Sequence, residues 1–282
     1  MTKIGVLCSR VRVEEKLILN ALRERRVPFD KIDVRRIAFD LKDTDWCQYS
    51  AVLIRCLSHT NALYASRMLE MMGVKAVNSH RVISLCGDKI LTTMALNEHG
   101  LPNPRAYFAM SHDPAMAAID ELGYPAVLKP PVGSWGRLIA KVNDREAAEA
   151  VIEHKEILDS NRQTPLYIQE YIDKPGRDIR SMVVGDETVY AVYRVAEHWI
   201  TNTARGGTTT NLPVTDEIDQ LSRAAARAVG GGIVAVDLLE TMDGTLLVNE
   251  VNNTPEFHGA MKATDVDIAA KMVDYVLQVA QE

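Results

Sequence analysis

The chain has 282 residues, a formal net charge of −6 and 47% hydrophobic residues, a composition typical of a globular protein with one large domain or two to three small ones. No apolar run approaches the roughly 18 residues that a membrane-spanning helix needs, which argues against insertion in a membrane. The acidic balance argues against general affinity for nucleic acids, and the N-terminus lacks the long apolar core of a signal peptide, so we expect a cytoplasmic protein.

The first ninety residues alternate strands and helices, a pattern typical of a parallel sheet with helices on its faces. We assign residues 1–90 to an N-terminal α/β domain. The predicted elements are strands at 3–9, 29–34, 51–55 and 75–77, and helices at 14–25, 62–72 and 87–100.

The rest of the chain divides into two further predicted domains. Residues 107–169 alternate as strand–helix–strand–loop–strand–helix–strand, which predicts a small central domain over 91–170. Strands then dominate up to a helix at 216–229, and a last helix covers about 267–281, which predicts a C-terminal domain over 171–282. The predicted fold class is α/β with α+β character.

Three oxygen-bearing side chains in the last part of the chain predict a metal site. Asp237 lies in an apolar run, where an unpaired carboxylate is costly, and Glu250 and Asn252 are two residues apart, so they face the same side of a strand. The Asp243-Gly244 turn between them predicts a hairpin that places both strands side by side. Hard oxygen ligands on one face suit Mg²⁺, which shares its coordination shell with substrate phosphates.

A lysine followed by a loop with two glycines is a candidate phosphate site. Lys129 ends an apolar strand, a position as typical of a surface lysine as of a phosphate ligand. The glycines let backbone N–H groups approach phosphate oxygens, although a simple hairpin turn explains them as well. The loop residues assigned to nucleotide binding are Gly133, Ser134, Trp135, Gly136 and Arg137.

A second apolar strand, 166–172, ends in polar residues whose backbone groups could bind an adenine edge. The simpler alternative is an edge strand that turns polar. After the following turn, Asp178 could accept hydrogen bonds from a ribose, and Arg180 could bind a phosphate or a carboxylate with two parallel hydrogen bonds. The residues assigned to the strand end are Gln169, Glu170, Tyr171 and Ile172.

Further cationic and amide side chains are candidates for anion recognition. Lys89 opens a helix, where it is either a surface charge or a phosphate ligand at a helix N-terminus. The chain has no GxxxxGK[ST] loop, which excludes a P-loop, and no GxSxG elbow. The other candidates are Lys141, Arg194, Asn202 and Arg205.

The order of these motifs resembles the ATP-grasp superfamily of carboxylate–amine ligases over nearly the whole chain. The resemblance implies an N-terminal α/β domain, a small central lid domain that clamps ATP, and a C-terminal domain that carries the metal site. More narrowly, several strings are similar to the LysX-type ligases of lysine biosynthesis and their arginine-biosynthesis counterparts, which are related to the ribosomal-protein glutamate ligases. These strings lie at 87–89, 133–138, 174–180, 198–207 and 249–257.

The resemblance also implies a reaction with ATP and Mg²⁺, with Mn²⁺ as an alternative. ATP would phosphorylate the C-terminal glutamate of a small acidic amino-group carrier protein, and the α-amino group of 2-aminoadipate or glutamate would then attack the acyl phosphate. The glycine loop would act as a lid that excludes water. The residues expected to act in catalysis are Arg180, Arg194, Lys141, Asn202 and Arg205, with Arg194 and Asn202 also at the nucleotide; no general base stands out.

The residues that follow the metal motif are expected to choose the amino acid. The string 202–207 resembles the aminoadipate enzymes, and 255–264 resembles the glutamate enzymes with Ala260 in place of a bulky Phe. A smaller residue leaves room for one methylene, which is worth about 1–3 kcal/mol, so we favour aminoadipate and keep glutamate, or both, as alternatives. The expected substrate residues are Asn253, Thr254, Glu256, Phe257, Gly259 and Ala260.

Two other hypotheses stand beside this one. The chain could be a glutamate ligase that modifies another protein tail or a cofactor, or a nucleotide-binding sensor that has lost catalysis. The complete Asp237, Glu250 and Asn252 set argues against a sensor. The resemblance further suggests a homo-oligomer, either a dimer or a tetramer.

Overall fold

The computed structural model of the chain describes residues 2–42, 45–133, 137–158, 165–201 and 206–282. These residues form three β-sheets of four or five strands each, with helices on their faces, which confirms the predicted α/β class. No helix within these ranges is long and apolar enough to cross a membrane.

The N-terminal unit is a sheet with helices on both faces. Its elements are β1 (Ile4–Cys8), α1 (Val13–Glu24), β2 (Phe29–Asp33), β3 (Ala51–Arg55), α2 (His59–Met71) and β4 (Lys75–Val77). The strands lie in the order β2-β1-β3-β4 and are all parallel, as predicted. The strands β1 and β3 are buried along their whole length, because α1 packs on one face and α2 on the other.

The helix predicted from 87 to 100 is present between 89 and 98, and a further helix before it was not predicted. One helix, α3 (His80–Gly87), ends before Asp88, and the next, α4 (Lys89–Glu98), begins after it. The backbone of Asp88 is extended, and its Oδ1 accepts hydrogen bonds from the backbone N–H groups of Ile90 at 2.8 Å and Leu91 at 3.3 Å. Asp88 thus caps α4, and Lys89 is the first residue of that helix.

The central unit is a small antiparallel sheet covered by two helices. Its elements are β5 (Ala106–Ala109), α5 (His112–Leu122), β6 (Ala126–Lys129), β7 (Ala140–Val142), α6 (Arg145–Leu158) and β8 (Leu166–Glu170). The strands lie in the order β5-β8-β6-β7. The apolar faces of α5 and α6 pack on this sheet and form a separate core.

The C-terminal unit is an antiparallel sheet that carries the predicted metal hairpin. Its elements are β9 (Arg177–Val184), β10 (Glu187–Val195), β11 (Thr208–Leu212), α7 (Asp216–Val229), β12 (Ile233–Glu240), β13 (Leu246–Asn252) and α8 (Ile268–Gln281), with strand order β11-β10-β9-β12-β13. The hairpin is confirmed, with Asp237 directly opposite Glu250. A bulge follows: Leu238 pairs with Val248, and Asn249 is the extra residue.

The N-terminal and C-terminal units share one hydrophobic core. The buried face of α8, which includes Met272 and Val276, packs with α1 and with residues of β1, β9 and β10. This shared core fixes the N-terminal sheet against the sheet that carries the metal hairpin. The domain boundaries after residues 90 and 170 stay predictions.

Candidate active site

Two cavities adjoin where the three units meet. The larger, of about 230 Å³, lies between the N-terminal and C-terminal units and is called the interface cavity here. The smaller, of about 90 Å³, is lined by residues of β6 and β8 and of the segments that follow these strands, and is called the strand-end cavity. Gly133, Asp237 and Glu250 line both cavities, so the two spaces meet at two of the three predicted metal ligands.

The strand-end cavity gathers most of the residues predicted to bind the nucleotide. Its apolar walls include Val127, Ile139 and Leu239, and lysines lie beside them. Apolar walls with a few convergent charges suit a ligand that has a flat base and anionic phosphates. The predicted residues that line it are Lys89, Lys129, Gly133, Arg137, Gln169, Glu170, Tyr171, Ile172 and Asp178.

Lys129 is buried at the end of β6, which excludes the surface-lysine alternative. Its Nζ donates a hydrogen bond to Oδ1 of Asn249, the extra residue of the bulge, at 3.1 Å. Burial lowers the pKa of Lys129 to about 8; Glu250 opposes this shift, whereas Lys89 and Lys174 add to it. An anion beside Lys129 would stabilise the charged form, so the group is suited to a phosphate.

Lys89, the first residue of α4, holds the start of the glycine loop with two hydrogen bonds. Its backbone N–H donates to the carbonyl of Pro131 at 2.9 Å, and its Nζ donates to the carbonyl of Gly133 at 2.9 Å. A Cβ at Gly133 would lie 3.1 Å from Cγ of Pro130, so the backbone runs close to that ring. The remaining glycine-loop predictions, Ser134, Trp135 and Gly136, lie outside the described residues.

Asp178 lies in a buried cluster of charged and polar groups. Its Oδ1 accepts a hydrogen bond from Nε of Arg194 at 2.6 Å, and its Oδ2 accepts one from the hydroxyl of Thr201. Nζ of Lys174 lies 3.7 Å from the same Oδ2 and donates to Thr201 at 2.9 Å. A ribose would have to share oxygens that already have protein partners, and its binding to Asp178 stays a prediction.

Asp237 is held by two arginines. Arg180 donates from Nε to Oδ1 at 2.7 Å and from Nη2 to Oδ2 at 3.0 Å, the two-bond geometry expected for that guanidinium. Arg194 adds an ion pair to Oδ2 at 3.2 Å. Burial raises the pKa of Asp237, but the two guanidinium charges lower it by more, so the carboxylate stays ionised.

Glu250 and Asn252 complete a donor set that fits Mg²⁺. Among the described residues, the Glu250 carboxylate has no hydrogen-bond or ion-pair partner, and neither does the buried amide nitrogen of Asn252. Each carboxylate oxygen has two lone pairs, so Asp237 can bind a cation and keep its arginines. Two carboxylates and an amide are the hard oxygen donors that Mg²⁺ prefers. The described part of the chain contains no cluster of three or more His, Cys, Asp or Glu side chains that could hold a metal.

A buried ion-pair network joins the N-terminal unit to the segment 253–258, which follows the predicted metal ligands. Arg55, on β3, donates from Nε to Oε1 of Glu15 at 3.0 Å and from Nη2 to the carbonyl of Pro255 at 3.1 Å. Glu15 also pairs with Nη2 of Arg12 at 2.9 Å, and Nη1 of Arg12 donates to Glu256 at 2.6 Å. The wall of the interface cavity is therefore anchored to the N-terminal unit.

Two further contacts hold the same segment. The Asn78 amide donates to the carbonyls of Ile233 at 2.7 Å and Asn253 at 2.8 Å, and it accepts from the N–H of Ile233 at 2.6 Å. Glu14 accepts a hydrogen bond from the His258 ring at 2.7 Å. We call Arg12, Glu14, Arg55 and Asn78 the four tethers.

The expected substrate residues divide into two groups. Asn253, Thr254 and Glu256 line the interface cavity, although Glu256 is already paired with a tether. Phe257 and Ala260 are buried in the hydrophobic core, and Gly259 packs near Thr209, so none of these three lines either cavity. Any effect of Ala260 on the acceptor would pass through the backbone of the segment.

The predicted catalytic residues are also divided. Arg180 and Arg194 line the interface cavity. Lys141 lines neither cavity, and its Nζ lies 4.4 Å from the centre of the Tyr171 ring. Asn202 and Arg205 lie outside the described residues.

Some of the residues that line the two cavities were not identified from the sequence. Arg12 and His59 line the interface cavity from the N-terminal unit, far along the chain from the metal hairpin. Lys174 lines the strand-end cavity, and its position in the Lys-Pro-Gly-Arg-Asp string was the one signal that could have identified it.

Solved structures with a similar fold include an ATP-grasp protein and a ligase. A RimK-domain ATP-grasp protein from Sphaerobacter thermophilus superposes with a TM-score of 0.79 at 24% identity, covering 98% of this chain and 100% of that one. A D-alanine–D-alanine ligase from Bacillus anthracis, solved in complex with ATP, gives a TM-score of 0.72 at 18% identity, covering 100% and 98%. At these identities the likeness establishes the fold alone.

Sequence similarity establishes the family. A RimK-like ATP-grasp domain matches residues 86–276, and a LysX preATP-grasp domain matches residues 4–85. The chain belongs to the RimK-like ATP-grasp family of ligases, which confirms the resemblance drawn from its motifs. Its relatives include the glutamate–LysW ligase ArgX of Sulfurisphaera tokodaii, 38% identical over 97% of this chain and 98% of that one. Another is the alpha-aminoadipate–LysW ligase LysX of Saccharolobus solfataricus, 35% identical over 78% of this chain and 80% of that one.

Proposed function

We propose that this protein joins an α-amino dicarboxylic acid to the C-terminal glutamate of a small acidic carrier protein of the LysW type. ATP phosphorylates the terminal carboxylate, giving an acyl phosphate and ADP, and the amino acid then displaces phosphate to form an amide. The observation that supports this most directly is the meeting of the two cavities at Asp237 and Glu250. A nucleotide in one cavity and an acceptor in the other would share one reaction centre there.

The residues on each side of this meeting point have charges suited to the two steps. Lys89 and Lys129 would place fixed positive charge beside the nucleotide, in a site from which water is partly excluded. Arg180 and Arg194 would face the carboxylate that is activated, since both line the interface cavity. ATP-grasp ligases use ATP with Mg²⁺, and Asp237, Glu250 and Asn252 would hold the ion, which offsets the negative charge of the phosphates when bound.

We further propose that both glutamate and 2-aminoadipate serve as acceptors, with glutamate at least as good. The glutamate-named relative is 38% identical over 97% of this chain, whereas an aminoadipate-named relative that covers 96% of it is 28% identical. The preference for aminoadipate depended partly on Ala260, whose side chain is buried in the core. One methylene changes binding by only about 1–3 kcal/mol, which is compatible with dual use.

The test is an intact-mass measurement on a purified LysW-type carrier protein incubated with enzyme, Mg·ATP and both amino acids in competition. We expect a mass gain of one amino acid residue on the carrier, with ADP and phosphate released only when every component is present. Glu250→Ala is the matched catalytic control and should abolish the gain. No mass gain with either amino acid would refute the proposal. A gain on a different glutamate-ended peptide or cofactor would favour a glutamate ligase that acts on another substrate. Tight ATP binding without turnover would favour a nucleotide-binding sensor.

A further inference from the structure

The acceptor amine must lose a proton before it can attack, and most acidic groups of the interface cavity are already engaged. Asp237 is paired with two arginines and Glu256 with Arg12, while Glu250 belongs to the predicted metal set. Burial raises the pKa of Cys56 to about 12 and raises that of Cys86 as well, so both thiols stay protonated at neutral pH. Neither the paired carboxylates nor these thiols are suitable proton acceptors.

Among the described residues that line the cavity, His59 is the remaining side chain that can accept a proton near neutral pH, because the arginines stay protonated. It is the first residue of α2, and neither ring nitrogen makes a hydrogen bond to a described residue. The ring rests directly against Gly87: a Cβ at that position would lie 1.8 Å from Cε1 of the imidazole. The side chain is therefore held in place by packing while its nitrogens keep their hydrogen-bonding capacity.

The surroundings keep this imidazole neutral. Burial lowers the pKa of His59, and the nearby Asp88 carboxylate opposes that shift without cancelling it. The lining of the cavity contributes three cationic and three anionic side chains, so burial is the dominant influence. These charged groups are Arg12, Arg180, Arg194, Asp237, Glu250 and Glu256.

We infer that His59 is the proton acceptor for the α-ammonium group of the acceptor amino acid, an inference that rests on the proposed function. The ammonium nitrogen gives one proton to the imidazole, and its lone pair forms the C–N bond with the acyl carbon. The C–O bond to phosphate then breaks, and the second amine proton leaves with the departing phosphate. The imidazolium returns its proton to water. A positioned base of this kind contributes about 10²- to 10⁴-fold to the rate.

The decisive variant is His59→Gln, which keeps hydrogen-bonding capacity and removes basicity. Hydroxylamine is largely unprotonated at neutral pH, so it can trap the acyl phosphate without a proton acceptor. With carrier protein and Mg·ATP, we expect His59→Gln to form carrier hydroxamate at a rate close to that of the unmodified enzyme. Amide formation with glutamate should show a kcat lowered by about 100-fold or more with little change in KM. This deficit should shrink as pH rises, because more of the free amine is then deprotonated.

His112→Gln is the matched control, because His112 is the first residue of α5 and lines neither cavity. It should leave both products unchanged. Gly87→Ala is the second variant; it displaces the ring without removing it and should lower amide formation selectively.

The inference is overturned if His59→Gln makes amide as fast as the unmodified enzyme, or if it loses hydroxamate and amide to the same extent. If the unmodified enzyme makes neither product, the proposed function fails instead.

Discussion

Replacing the buried Arg55 by Met should lower the free energy of unfolding by about 3 kcal/mol. The side chains of Arg55 and Glu15 are 2% and 0% exposed and pair at 3.0 Å, so the change leaves a buried carboxylate without one of its two cations. Removing one member of a buried ion pair costs about 3–5 kcal/mol, and the lower value applies because the Arg12 guanidinium still donates two hydrogen bonds to Glu15, at 2.9 and 3.0 Å. The carbonyl of Pro255 also loses its donor.

This free energy corresponds to a measurable change in melting temperature. An unfolding entropy of about 2.1 cal/mol/K per residue gives about 0.6 kcal/mol/K for a chain of 282 residues, so about 3 kcal/mol lowers Tm by roughly 5 °C. Burial raises the pKa of Glu15, but Arg12 and Arg55 lower it by more, to a value below the ordinary 4.5. The stabilisation is therefore complete above that ordinary value and is lost as pH falls below it, so the two proteins should converge in acid.

Differential scanning calorimetry over a range of pH checks this reasoning. Arg35→Met is the matched control: Arg35 pairs with Asp33 at 2.8 Å in the same unit, but its side chain is 58% exposed and screened by solvent, so its loss should change Tm little. A Tm change for Arg55→Met no larger than that of the control would refute the argument. So would a difference between Arg55→Met and the unmodified protein that widens in acid.

Three further outcomes are expected. Nucleotide binding should take up protons between about pH 8 and 10.5, because phosphate would raise the lowered pKa of Lys129. Calorimetry in buffers of different ionisation enthalpy measures this proton uptake. If no uptake is seen, Lys129 does not bind the phosphates. Glu250→Gln should keep the fold but lower ADP formation by about 100-fold or more, and normal turnover at low Mg²⁺ would exclude Glu250 as a ligand. Thr201→Val removes the hydroxyl between Lys174 and Asp178 and should destabilise the protein by about 1–3 kcal/mol in urea titrations; an unchanged midpoint would show that water replaces it.

Local sequence signals were sufficient for most of the fold. The helix predicted at 216–229 has the same bounds in the structure, because Thr215 caps its start and Gly230, with φ of 112°, ends it. The Asp243-Gly244 turn fixed the pairing of the hairpin strands. The helix predicted from Gly87 corresponds to α4, whereas α3 was missed; the capping hydrogen bonds of the Asp88 side chain separate these two helices.

The site was predictable where its residues lie at strand ends and unpredictable where it depends on long-range packing. Lys129 and Gln169 lie in neighbouring antiparallel strands, with Lys129 opposite Tyr167 and Gln169 opposite Val127, and both line the strand-end cavity as predicted for nucleotide-binding residues. The pairing of Asp237 with Arg194 and the position of His59 arise from contacts between separate elements, for which no local pattern exists. Phe257 was assigned to the substrate because it follows the metal motif, but the chain turns there and buries the ring in the core.

The four tethers have an evolutionary consequence. All four tethers contact the C-terminal unit. Recombination therefore cannot exchange residues 4–85 between relatives without disturbing these contacts. A hybrid that takes its N-terminal unit from a relative would inherit a cavity wall whose partners no longer match. Changes of acceptor within this lineage are therefore expected to arise as paired substitutions in the two units.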